Sequence, residues 1–182
     1  MQWGKLDKEP CSVSRTLSVI GDRWTLLILR DCFLKVRRFD DFQARLGIGR
    51  PVLAERLQKL IDNFVLTKVA YHERPPRYEY RLTQKGLDLY PVVMAINHWG
   101  DTYMVEKKGR PLLHRHATCG HTFNPVHACS QCGEALDPRR VQVEAGPGAR
   151  DTTPMPISYP ASAESRMKVK QANGAGSLRG SS

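Results

Sequence analysis

The chain has 182 residues, 41% of them hydrophobic and 25% charged, enough for one modest globular domain with appendages. Its formal net charge of +10 favours a polyanionic partner. No apolar run approaches the roughly 20 residues that span a bilayer, Met1–Pro10 lacks the apolar core of a secretion signal, and three clustered cysteines out of five argue against a disulfide framework; a cytoplasmic protein is expected.

Helical periodicity starts after Cys11, where Val13, Leu17 and Ile20 share a face and Gly21 ends the segment. Trp24–Arg30 is apolar nearly all round and predicts a helix buried at the domain centre. Phe39, Phe42 and Leu46 mark a short amphipathic helix, with Asp40 and Asp41 in the first turn, where the helix dipole favours acids. Leu46-Gly47-Ile48-Gly49 reads as a tight turn, and the next helix opens near Pro51, whose missing donor costs little there. Leu53, Leu57, Leu60, Ile61 and Phe64 form one stripe of that helix at about 100° per residue, opposite Val52, Glu55, Arg56, Lys59 and Asp62. Two short helices joined by a small-residue turn are a helix-turn-helix.

Two alternating runs follow, Val65–Tyr71 and Tyr78–Leu82, around a tip of Arg74-Pro75-Pro76-Arg77. That is a β-hairpin pattern, and both prolines are expected in the turn because neither can donate to a ladder. A basic-tipped hairpin directly after a helix-turn-helix reads as a wing. Thr83 caps a further helix whose apolar face is Leu87, Tyr90, Val93, Met94 and Trp99, with Pro91 placed to kink it. This face either completes the monomer core or pairs with a second copy of the chain.

A winged helix of this kind enters the major groove with the amino-terminal half of its second helix. Arg50, Val52, Arg56 and Lys59 are then placed to reach bases or phosphates, and Arg74 and Arg77 suit the minor groove or its flanking phosphates. Arg37 and Arg38, ahead of the preceding helix, are placed to hold the backbone. Taken singly each is an ordinary solvated charge; the architecture makes them a set. Glu55 either accepts from a cytosine or pairs with Lys59 one turn on.

Beyond the winged helix, Cys129-x-x-Cys132-Gly133 has the spacing at which two thiolates bind one tetrahedral ion. His116-x-x-Cys119-Gly120 repeats it with histidine first. Together they predict a zinc-ribbon-like module with His116, Cys119, Cys129 and Cys132 around a structural Zn2+. His114, His121 and His127 compete with His116 for the fourth place, iron is the alternative metal, and free thiols are the alternative to a site. Four protein ligands would close the ion to water, which disfavours hydrolytic chemistry. Cys32, at the end of an apolar helix, reads as packing. From Gly146 the composition turns to Pro, Gly, Ser and Ala, and residues 144–182 are expected to be disordered.

With these residues placed, the chain resembles the HxlR family of bacterial transcriptional regulators, relatives of the MarR winged helices. The resemblance runs over residues 11–109. It is carried by Cys11, by residues 19–31 (VIGDRWTLLILRD), by Arg38-Phe39-Asp40-Asp41-Phe42 and Leu53-Ala54-Glu55-Arg56-Leu57, and by Glu73-Arg74-Pro75, Tyr78–Thr83 and Lys85-Gly86. It implies a homodimer on a pseudo-palindromic operator, repressing or activating, and a redox-sensing role for Cys11, whose plainer reading is a buried structural cysteine. Two positions depart from the family pattern: Lys35 and Phe64 stand where glycine is usual. Glycine after the recognition helix would supply a left-handed cap, so Asn63 or an altered turn is expected to take over.

The expected fold is therefore α+β: a winged helix-turn-helix domain over residues 11–109, a zinc-ribbon-like module over 110–143 and a disordered tail over 144–182. The expected function is non-enzymatic: a homodimeric regulator that binds double-stranded DNA and answers to a small-molecule or redox effector. The alternative is a winged-helix protein-interaction module that has lost DNA binding, to which Lys35 and Phe64 would point. An enzyme built on the cysteines finds no histidine–acid pair or phosphate loop to support it.

Overall fold

The computed structural model describes residues 3–149; most of the segment expected to be disordered, residues 150–182, lies outside them. After a 3-10 turn at Trp3–Lys8 the chain forms α1 (Ser12–Ile20), α2 (Arg23–Phe33), α3 (Phe39–Leu46) and α4 (Arg50–Asp62). The wing is β1 (Leu66–Glu73) paired with β2 (Pro76–Leu82), followed by α5 (Gln84–Leu87) and α6 (Tyr90–Tyr103).

The helix boundaries have local causes. Gly21 ends α1 by donating to Leu17 O at 2.8 Å, and a Cβ there would lie 2.5 Å from that oxygen. Asp22 caps α2, accepting from the backbone N–H groups of Trp24 and Thr25 at 3.0 and 3.2 Å. Gly47 ends α3 in the left-handed conformation at φ 62. Pro91 falls in the first turn of α6, so the helix restarts there after Asp88 and Leu89 instead of kinking.

Ile28 and Leu29 from α2, Phe42 from α3, and Leu53, Leu57 and Leu60 from α4 are fully buried, with Val65 and Leu66 closing the core at the base of the wing. Burying each of these large side chains stabilises the fold by about 1.5–3 kcal/mol. Asp31 is also fully buried. It accepts from Arg30 Nη2 at 2.9 Å and from Arg45 Nε at 3.2 Å, tying α2 to α3. The helix-turn-helix thus rests on α2, as the apolar run Trp24–Arg30 predicted.

Phe64 corrects the stripe drawn from sequence. It lies outside α4, 74% exposed, at φ 56 in the left-handed region. The buried position is the next one, Val65, whose N–H donates to Leu60 O at 2.9 Å. Asn63 does not take over the glycine's part, since it stays at φ −91; Phe64 itself makes the left-handed turn. Lys35, the other departure, does the same at φ 69. Both turns keep the backbone that glycine would adopt, at the steric cost of a Cβ there.

The hairpin register runs from Leu66 opposite Leu82 to Glu73 opposite Pro76, with an irregularity between Ala70 and His72. Arg74 and Pro75 form the turn. Pro76 does not: it opens β2, where a missing donor is tolerated at the first position of a strand. The segment before α3 joins the wing, with Tyr80 N–H donating to Arg37 O at 2.8 Å and an Arg38–Glu79 bridge. Beyond α6, the described residues from Met104 onward include none that is buried.

Candidate nucleic-acid interface

The recognition helix α4 turns Val52, Ala54, Glu55 and Gln58 outward while Leu53, Leu57 and Leu60 anchor it. Ala54 and Gln58 are not among the contacts expected from sequence, although the same 100° periodicity puts them outside. Gln58 donates to Asp62 Oδ1 at 2.7 Å. Glu55 pairs with Arg56 beside it, not with Lys59.

The predicted cations divide into two groups. Arg50, Arg38 and Arg56 are held. Arg50 donates to Asp40 Oδ1 at 3.2 Å and to Gln43 Oε1 at 2.9 Å, with its guanidinium over the Phe39 ring. Arg38 lies over Tyr71, 4.7 Å from the ring centroid. Arg56 is the least available, its side chain 22% exposed, with Nε donating to Asp22 Oδ1 at 3.0 Å. Asp22 is also the α2 cap, so Arg56 clamps the recognition helix to the start of the central one. Partial burial pushes the Asp22 carboxyl up, but the Arg56 guanidinium and the two capping N–H groups prevail and hold it below the ordinary value.

Arg37, Arg74 and Arg77 are exposed, and among the described residues no ion pair or side-chain hydrogen bond engages them. Lys59 is half-buried and has no side-chain partner either. Lys68, missed by sequence reasoning, stands over the Tyr78 ring at 4.1 Å on the face of the wing; strand alternation placed it outward, but no motif marked it.

Cys11 occupies the N-cap of α1 and is exposed, which corrects the buried reading. The backbone N–H and hydroxyl of Ser14, then the N–H of Val13, lower its thiol below the ordinary value, although no closed capping hydrogen bond forms. Cys32 is buried beside Asp31, and burial with that charge pushes its thiol up to about 12; it is packing, as expected.

The histidine–cysteine segment forms two short hairpins. One draws together His116 and Cys119, with Nδ1 3.3 Å from Sγ. The other closes the Cys129–Cys132 loop, where the backbone N–H groups of Cys132 and Gln131 lower the Cys129 thiol. The four side chains expected to share an ion meet only in pairs: among the described residues no group of three or more His, Cys, Asp or Glu side chains is gathered. The segment has no apolar core to bring the two hairpins face to face. His114 and His127 sit at the hairpin bases, where their carbonyls accept from Phe123 and Leu136.

Among the described residues no helix is long and apolar enough to cross a membrane. A family model described as HxlR-like helix-turn-helix matches residues 19–108. An uncharacterized HTH-type transcriptional regulator of Mycobacterium tuberculosis is 44% identical over 137 residues, covering 75% of this chain and 87% of the relative. The solved structure of PA1607, described as a candidate transcription factor, matches at a TM-score of 0.69 and 33% identity, over 77% of this chain and 98% of that one. PA1374 of Pseudomonas aeruginosa, described in the same terms, matches at 0.54 and 32% identity, over 78% and 96%.

Proposed function

Because the chain belongs to the HxlR-like helix-turn-helix family of transcriptional regulators, we propose that it binds a pseudo-palindromic operator as a homodimer and regulates transcription from it. The family and the relatives are regulators, not enzymes. The observation that carries the reading is the pairing of an outward face on α4 with three arginines, Arg37, Arg74 and Arg77, that no acid among the described residues neutralises. The α4 face supplies base contacts through Val52, Ala54, Glu55 and Gln58, and the arginines supply phosphate contacts. Arg50 and Lys59 flank that face at its two ends.

Two copies are favoured by the apolar side chains that α1 and α6 leave uncovered: Val13, Leu17, Val92, Ile96, Trp99 and Tyr103. An operator read by two such helices would carry half-sites about one duplex turn, or a multiple, apart. Fluorescence anisotropy with the protein's own upstream DNA, read between 50 and 200 mM salt, tests the whole. The expected result is two chains per duplex and an affinity that falls steeply with salt. Binding that is absent or indifferent to salt would sink the regulator and favour an interaction module. Trp99→Glu should leave a monomer in sedimentation; an unchanged dimer would show that α6 is not the interface.

A redox response at Cys11 is favoured by its exposure and its lowered thiol. Operator affinity before and after mild oxidation, with Cys11→Ser as the control, reads this directly. An oxidant effect that persists in the serine variant would place the sensor elsewhere.

A further inference from the structure

The two hairpins after α6 repeat each other at an interval of 13 residues. In the first, His116 N–H donates to His121 O at 2.9 Å, Gly120 N–H to His116 O at 2.8 Å and Phe123 N–H to His114 O at 3.0 Å. In the second, Cys129 N–H donates to Glu134 O, Gly133 N–H to Cys129 O and Leu136 N–H to His127 O, each at 2.8 Å. Gly120 and Gly133 take the same left-handed turn, at φ 72 and 73. A bridge closes each hairpin, Arg115 with Thr122 and Ala128 with Ala135. Each loop therefore presents its two metal-type side chains, His116 with Cys119 and Cys129 with Cys132, from one backbone template.

From these two matching half-sites, which stand apart among the described residues, we propose a new metal site: the two loops close on one tetrahedral zinc ion held by His116 Nδ1 and the thiolates of Cys119, Cys129 and Cys132. Nothing in the family reading assigns it, and it does not depend on DNA binding. Zn–S and Zn–N bonds of about 2.3 and 2.1 Å at tetrahedral angles put two such ligand atoms about 3.6 Å apart. His116 Nδ1 and Cys119 Sγ stand at 3.3 Å, so this half of the site needs only a few tenths of an ångström. Cys129 and Cys132 line an open cleft of about 190 Å³ with Glu134, Asp137 and Arg140, so this half of the site is reachable from solvent.

A metal also answers the question of what holds this segment in shape. Leu112, Leu113, Phe123, Val126 and Leu136 are all exposed, and the described residues beyond Met104 bury none of their side chains. A module this small with no core ordinarily needs a staple. Binding would release one proton from each thiol to solvent and leave the imidazole neutral, so the ligand set carries −3 against the ion's +2. Nor is the segment peculiar to this chain. A 137-residue match within 182 residues must run to residue 137 or beyond, so the mycobacterial relative aligns through both loops.

The test uses the full chain, purified without added metal and then titrated with Zn2+ or Co2+. One zinc per chain is expected by elemental analysis, and Co2+ should give the strong visible bands of a tetrahedral ion with thiolate charge transfer in the near ultraviolet. Cys129→Ser and Cys132→Ser should each lose most of the metal while Cys11→Ser and Cys32→Ser retain it. His116→Cys should keep one ion with shifted cobalt bands, which separates a ligand from a residue that merely shapes the hairpin. The melting of the winged helix in each variant controls for misfolding. Equal zinc in wild type and Cys129→Ser, half an ion per chain, or octahedral cobalt spectra would each overturn the ligand set.

Discussion

Replacing Arg56 with alanine separates a DNA reader from a structural clamp. Its Nε lies 3.0 Å from Asp22 Oδ1, with side chains 22% and 31% exposed. A fully exposed ion pair contributes about 0.2–1 kcal/mol, and a hydrogen bond to a charged group about 1.5–3 kcal/mol when sheltered. Asp22 keeps its two backbone donors in the variant, so no bare carboxylate is left behind. The expected loss is about 1–1.5 kcal/mol, or about 4–10 °C in Tm for a domain of roughly 100 residues. A double-mutant cycle with Asp22→Asn should return a coupling energy of about 1 kcal/mol. The Asp22 carboxyl is depressed in the fold, so its stabilisation is present above its unfolded value of 3.8 and disappears as pH falls through the folded value. The Tm gap between wild type and Arg56→Ala should therefore narrow below about pH 4. Operator affinity, measured well below the melting range, should change by less than about threefold, since loss of a base contact costs at least about 1 kcal/mol. An Arg56→Ala protein that melts like wild type but loses tenfold or more in affinity would refute the clamp.

Other outcomes follow from the same structure. Gly86→Ala should lose about 1–3 kcal/mol in denaturant unfolding, because its Cβ would lie 2.2 Å from Val65 O and 2.9 Å from Leu82 Cδ2; an unchanged midpoint would contradict the contact at the wing's base. Arg74→Ala with Arg77→Ala should leave Tm within a degree or two and flatten the salt dependence of operator binding by about 1.8 log units per log unit, about 0.9 for each phosphate lost. An unaltered slope would remove the wing tip from the interface. Lys35→Gly should raise stability by about 0.5–1 kcal/mol, since relief of about 1–2 kcal/mol of left-handed strain exceeds glycine's extra chain entropy. A destabilised variant would mean that the exposed Lys35 side chain makes a contact worth more than the strain.

The winged helix was legible because its signals are local. Apolar spacing marked α2, α3 and α4; a threonine three residues before Gly86 marked the start of α5, where Thr83 Oγ1 accepts from Gly86 N–H at 3.1 Å; and paired alternating runs marked the wing. The two short hairpins of residues 114–136 follow from equally local signals, since a two-residue gap before each glycine fixes a single loop.

What sequence alone left open depended on contacts between distant positions. Arg56 looked free on a helical wheel, yet it pairs with Asp22, 34 residues earlier. Phe64 fitted the apolar stripe of α4 by spacing. The chain leaves the helix two residues sooner, after Asp62, because Val65 is needed in the core under β1 and its carbonyl accepts from Thr83 N–H at 3.1 Å. Local patterns sufficed to mark most of the helices and the two strands of the wing, because capping and periodicity act over a few residues; they misplaced Pro76, Phe64 and the break before α6. Which arginines stay without an acid among the described residues, and which apolar side chains stay uncovered, depended on the tertiary structure, because charge pairing and burial are settled by neighbours in space.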